Sequence, residues 1–153
     1  MLKANRIRTP ELGRGLWFEV TYSGAAIATI DCTEYRKDAM FELDKRYFRV
    51  LVADFLEQTF QLRFGDTLIA TASKQFFPER IRLAFGGREW MFRKSGIFNW
   101  KLTLARDGVP AGTILTGPWP KWYEGVTVDL PDDLPREVQM LLLYILLRWR
   151  NAA

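Results

Sequence analysis

The chain contains no histidine and a single cysteine, Cys32. Those two counts remove Ser-His-Asp and Cys-His catalysis and the usual imidazole ligands for zinc, copper or iron. Carboxylates occur in two groups, Asp129, Asp132 and Asp133, and Asp31, Glu34 and Asp38. The first group precedes an apolar run and suits the N-terminal capping of a helix. The second alternates with threonines along Ile27, Thr29, Asp31 and Thr33, as on the outward face of a strand. Cys32 falls in phase with Ala26, Ala28 and Ile30, on the inward side, where a small thiol is inert. The pair Gly86-Gly87 is followed by neither a Lys-Ser/Thr ending nor a helical pattern, so it reads as a turn and not as a phosphate loop. No catalytic residues, metal ligands or cofactor are expected, and the chain reads as a non-enzyme.

The remaining chemistry is positive charge. Between Lys74 and Arg106 stand eight basic residues against two acidic ones, Glu79 and Glu89; of 22 basic and 18 acidic residues in total, 14 and 16 lie elsewhere. The net charge of +4 therefore belongs to one region. Such a region addresses polyanions, though nothing in it indicates a specific nucleic acid.

The elements that must position these charges are short alternating segments separated by turn pairs. Ser23-Gly24, Gly65-Asp66, Gly86-Gly87 and Asp107-Gly108 each join two such segments, the signal of a hairpin. A two-residue turn at Gly86-Gly87 pairs Leu83 with Trp90 and Ile81 with Phe92 on one face. On the other it pairs Arg80 with Arg93 and Arg82 with Met91. The turn at Gly65-Asp66 pairs Leu62 with Ile69 in the same way. Strands are expected near 3–8, 15–22, 25–33, 39–44, 47–54, 57–64, 67–74, 79–85, 88–94, 98–106, 109–117 and 121–129. The stretch from Tyr47 to Gln58 also suits a short helix. Regular spacing without a helical period argues a meandering antiparallel sheet closing into a barrel of about twelve strands. Trp90 and Trp100 fall on inward positions, and Gly117-Pro118-Trp119-Pro120-Lys121-Trp122 reads as an aromatic loop packed over the barrel end.

The last segment, Leu134 to Asn151, differs from all others. From Met140 through Leu147 every residue is apolar, which leaves a helix there without a polar face. Gln139 and Arg148 bound the run, making it too short for a bilayer span of about 20 apolar residues, so protein must surround it. Asp132 and Asp133 are placed to cap its start, with Pro135 in the first turn, and Arg148 and Arg150 suit its negative end. A barrel of about twelve strands encloses more space than its own side chains fill. The expected fold is therefore a mainly β, closed antiparallel barrel with the hydrophobic C-terminal helix threading its centre.

At 153 residues the chain has the size of one domain, 1–153, and can bury a core without disulfides or metals. The opening MLKANRIRTPELGRG lacks the apolar stretch of a signal peptide, so a cytoplasmic location is expected, with peripheral attachment at a membrane and no transmembrane insertion.

Strand pairs such as WFEVTYSGAAIATIDC followed by the terminal DLPREVQMLLLYILLRWR resemble the tubby-like C-terminal fold of tubby, LURP-one-related and phospholipid scramblase proteins, in its small bacterial form. That resemblance covers nearly the whole chain and implies a twelve-stranded barrel around a hydrophobic C-terminal helix. For tubby itself it implies phosphoinositide binding at a basic surface. The tubby C-terminal signatures are absent, as are the scramblase calcium-binding segment and cysteine cluster, so no residue-level role carries over. A second, four-residue likeness, Gly15-Leu16-Trp17-Phe18, is to the run that opens lipocalins, which have eight strands and an amphipathic helix outside the barrel.

The expected function is that of a non-enzymatic binding module. Arg80, Arg82, Arg93 and Lys101, outward on consecutive strands, would meet anionic phospholipid headgroups or another polyanion. A lipocalin-like carrier of a small hydrophobe and an interaction domain without small ligand are the alternatives.

Overall fold

A computed structural model of the chain describes residues 1–7, 17–31, 38–53, 59–76, 79–95, 101–116 and 125–151. They form twelve strands and one helix: β1 (Leu2–Ile7), β2 (Trp17–Tyr22), β3 (Ala25–Asp31), β4 (Asp38–Leu43), β5 (Arg46–Val52), β6 (Thr59–Phe64), β7 (Thr67–Phe76), β8 (Glu79–Phe85), β9 (Arg88–Ser95), β10 (Lys101–Arg106), β11 (Val109–Thr116), β12 (Gly125–Asp129) and α1 (Arg136–Asn151). Cys32, Glu34, Trp100, the 117–122 loop, Gly15, Leu16 and the 54–58 end of the helix-or-strand stretch lie outside the described residues. Its 47–52 part is strand, within β5.

Every strand pair is antiparallel, and the order is β3-β2-β1-β12-β11-β10-β9-β8-β7-β6-β5-β4. The sheet thus curls into a nearly closed barrel. The first and last strands, β1 and β12, are neighbours, third and fourth in that order, while the two ends of the sheet are the consecutive strands β3 and β4, whose Cα atoms come within 8 Å of each other. Twelve strands and a buried terminal helix differ from the lipocalin arrangement.

Turn chemistry sets the register. Ser23-Gly24, Asp44-Lys45, Gly86-Gly87 and Asp107-Gly108 all have positive φ at both residues. That is the type I′ geometry whose twist matches the flanking strands. The Gly86-Gly87 register holds as expected: Arg80 faces Arg93, Ile81 faces Phe92, Arg82 faces Met91 and Leu83 faces Trp90. The Gly65-Asp66 register does not. Leu62 faces Ala70, because a bulge beside Leu62 and Arg63 leaves Ile69 as the extra residue between Leu68 and Ala70. The bulge lets Leu62 and Ala70 both reach the core, at 0% and 3% exposure.

Inward positions of the strands supply Phe18, Val20, Ile30, Phe41, Phe48, Val50, Phe60, Ile81, Leu83 and Phe92 to one core, which the helix completes. From Val138 through Arg148 every helix residue is buried, Met140 to Leu146 completely. The helix packs against β12 and against β6 and β7, and Tyr144 meets Phe60 edge-on with ring centroids 6.4 Å apart. Each such side chain contributes about 1.5–3 kcal/mol by leaving water. Among the described residues, no helix is long and apolar enough to cross a membrane.

The helix start corrects the sequence reading. Pro135 is the capping residue: its carbonyl accepts from the amides of Val138 and Gln139, at 3.0 and 3.1 Å. The Gln139 side chain donates to the Leu134 carbonyl at 2.8 Å. Asp133 turns away to Arg106 instead, so the first helical residue is Arg136. Proline fits here because the N–H it lacks would have no helical partner. At the other end Arg148, 2% exposed, donates to the Tyr144 hydroxyl at 3.2 Å.

Candidate anion-binding face

The basic residues between Lys74 and Arg106 divide into three groups according to the side of the sheet they occupy. Lys74 and Lys94 stand on inward positions at the barrel end. Lys74 is 8% exposed with its ammonium 5.7 Å from the Phe60 ring centroid, and Lys94 pairs with Glu79 at 2.8 Å. Arg88 and Arg106 stand over the Trp90 ring, 4.7 and 5.1 Å from its centroid, and hold that nearly buried indole at the turn end of β8, β9 and β10. The third group is the expected one. Arg80, Arg82, Arg93 and Lys101 all occupy outward positions of β8, β9 and β10.

Within that group, Arg80 lies directly opposite Arg93. Arg93 in turn faces Thr103, two residues along β10 from Lys101, so the three cations form a diagonal across three strands. Glu79 and Glu89, the two acidic residues of this region, are engaged elsewhere. Glu79 points to the barrel end and Lys94, and Glu89 pairs with Arg82 at 3.1 Å. Arg80 instead donates to the Gln75 side-chain oxygen on β7. Among the described residues, Arg80, Arg93 and Lys101 have no acidic partner. A second like-charged cross-strand pair, Arg49 opposite Arg63, is handled differently. Asp38 lies 3.0 Å from Arg49, and Arg63 donates to Gln61 at 3.1 Å.

One part of this face escaped the sequence reading. Ser73 stands opposite both Thr59 and Arg82, and Thr71 opposite Ala84. With Glu89 these residues line a shallow depression of about 100 Å³ beside the arginines. Its signal was present in the outward alternation of Thr71, Ser73 and Gln75 along β7, but hydroxyls on an outer strand face are too common to single out.

Chemically, the face offers fixed, multivalent positive charge flanked by hydroxyl groups, which suits phosphate or sulfate oxygens. Among the described residues, no three His, Cys, Asp or Glu side chains group as metal ligands. Comparison with protein-family models, with curated protein sequences and with solved structures gave no match.

Proposed function

We propose that this chain is a non-enzymatic binding module, a tubby-like barrel threaded by its own terminal helix. In this reading it recognises anionic phospholipid headgroups or another polyanion through Arg80, Arg93 and Lys101, with Arg82 beside them. The observation that carries it is the Arg80–Arg93 pair. Two like charges directly opposite on a sheet destabilise it, and here no carboxylate among the described residues relieves them. An anionic ligand would.

The threaded helix is supported by its complete burial and by its neighbours. β12 and β6 stand six places apart in the order of twelve, on opposite arcs of a ring. The location consistent with this function is the cytoplasm, at a membrane surface and without insertion.

Sedimentation with vesicles tests the function. Vesicles containing phosphatidylinositol phosphate should carry the protein down at low salt, and rising salt should release it as surface charge is screened. Replacing Arg80, Arg82, Arg93 and Lys101 together by Gln should abolish sedimentation with the melting temperature nearly unchanged. Equal sedimentation with neutral vesicles, or none with either kind, would reduce the face to ordinary surface and leave an interaction domain without small ligand.

A further inference from the structure

The barrel carries its unpaired charges on opposite sides. Arg80, Arg93 and Lys101 stand outward on β8, β9 and β10. Glu19, Glu42 and Asp44 stand exposed on β2, on β4 and at the β4–β5 turn, and among the described residues none of the three pairs with a cation. β9 and β3, the middle strands of the two patches, are six places apart in the order of twelve, so the patches face opposite directions. Each patch extends over three neighbouring strands, about 10 Å at the usual spacing within a sheet. Ile27, Met40 and Tyr47 lie among the carboxylates and line an open groove of about 580 Å³ with them, in which Lys45 is the one cation among the described residues. Met40 and Tyr47 are each 61% exposed. Beside the arginines lie Leu115, 40% exposed and directly opposite Lys101, and Met91, opposite Arg82.

We propose that the two patches are the complementary halves of one contact, through which copies of this chain associate head to tail, the carboxylate face of one copy on the arginine face of the next. Charge complementarity specifies the occupant, since three unpaired anions meet three unpaired cations over the same span. Carboxylates of a neighbouring copy would relieve the repulsion between Arg80 and Arg93, and Tyr47 offers an exposed ring on which a guanidinium can stack. Tyr, Met and Arg are also the residue types that interfaces favour. Because the patches face away from each other, every docked pair keeps one free face of each kind, and the contact repeats. An open string forms, not a two-fold dimer. This contact uses the same arginine face as the proposed lipid site and rests on that face being accessible to anions. A neighbouring copy and an anionic membrane compete for it, so that strings form in solution and membrane binding disperses them.

Sedimentation velocity of the full chain over a concentration series tests this. At low salt the average mass should rise with concentration past that of a dimer, and high salt should return it to the monomer as the exposed charges are screened. Each exposed ion pair lost should weaken association by about two- to fivefold. Two neutralised variants separate the faces. Glu19→Gln, Glu42→Gln and Asp44→Asn together remove the carboxylates, and Arg80→Gln, Arg93→Gln and Lys101→Gln together remove the cations; melting temperatures near wild type check that both fold. Either variant alone should stay monomeric at concentrations where the wild type assembles. Mixed in equal amounts they hold one intact face of each kind, and should form a dimer and nothing larger. The carboxylate variant should still sediment with vesicles containing phosphatidylinositol phosphate; if it did not, while the mixture dimerised, the lipid site would fall and this contact would stand. A wild-type chain that stays monomeric at low salt, saturates at the mass of a dimer, or assembles equally in high salt would overturn the proposal. So would a mixture that stays monomeric, or full assembly by either variant alone.

Discussion

Arg106 Nη2 lies 2.8 Å from Asp133 Oδ2, joining the β10–β11 turn to the segment that leads into the helix. The same guanidinium stands over Trp90, so one side chain ties an aromatic of the barrel end to the helix entrance. Its hydrogen bond is the main reason the Asp133 carboxyl ionises below its ordinary value of 3.8.

That shift fixes the sign of an acid effect. A carboxylate with a depressed folded pKa contributes stability that is present above its unfolded value and lost as pH falls through the folded one. The acid limb of the stability curve should therefore steepen below pH 3.8, and Asp133→Asn should flatten that part of it. Both groups are largely in water, so the effect should be small and weaken with salt. Urea denaturation at a series of pH values measures it. An identical acid limb in Asp133→Asn would show that the pair carries no pH dependence.

The helix core makes a larger prediction. Leu142→Ala, at a position with 0% exposure, should cost about 2–5 kcal/mol in urea denaturation. Tyr144→Phe removes the hydroxyl that accepts from buried Arg148 and should cost about 1–3 kcal/mol without changing core volume appreciably. A chain ending at Asp133 should fail to fold cooperatively. Survival of a sharp unfolding transition in that shortened chain would disprove the helix's role as core.

Gly112 supplies a backbone prediction. A Cβ there would meet the Asp129 carbonyl oxygen and the Leu130 side chain, each at 2.9 Å. The first is strand backbone and cannot swing aside, so Gly112→Ala should destabilise by about 1–3 kcal/mol. Thermal unfolding checks this, and a wild-type melting temperature would mean that β12 is free to shift.

The Arg80–Arg93 pair predicts that stability and binding oppose each other. Arg93→Glu replaces repulsion across the ladder with attraction and should stabilise the free protein by about 0.5 kcal/mol. The same change should reduce sedimentation with anionic vesicles. If Arg93→Glu lowered the melting temperature, the arginine would instead be serving the fold.

The sequence made some of these relationships legible and hid others for identifiable reasons. Two-residue turns with Gly86-Gly87 determine which residues face each other, so the Arg80–Arg93 pair could be read directly. The bulge at Ile69 could not, because one extra residue in a hairpin leaves the apolar alternation almost intact. Asp44-Lys45 forms a turn of the same type as Ser23-Gly24 with no glycine to announce it. The pairing of Glu79 with Lys94 needed three-dimensional information. Both residues sit where strands leave the barrel, and an inward position there opens to water at the rim instead of to the core. Asp133 was misread because its spacing from the apolar run fits a cap equally well, and only the proximity of Arg106, 27 residues away, decides between them.

The adjacency of β1 and β12 bears on how the protein comes to be made. Strands β4 to β11 can zip up locally as they leave the ribosome, one neighbour after the next. β1 is synthesised first and must wait for β12, and the side chains that complete the interior arrive after both. Until then the inner face of a growing sheet, with Phe41, Phe48, Phe60 and Phe92 on it, has nothing to cover it. Long-range closure of this kind is slow and exposes nascent chains to aggregation. The inner face is thus uncovered from the translation of β4 until α1 follows, and a chain cut before α1 should be aggregation-prone.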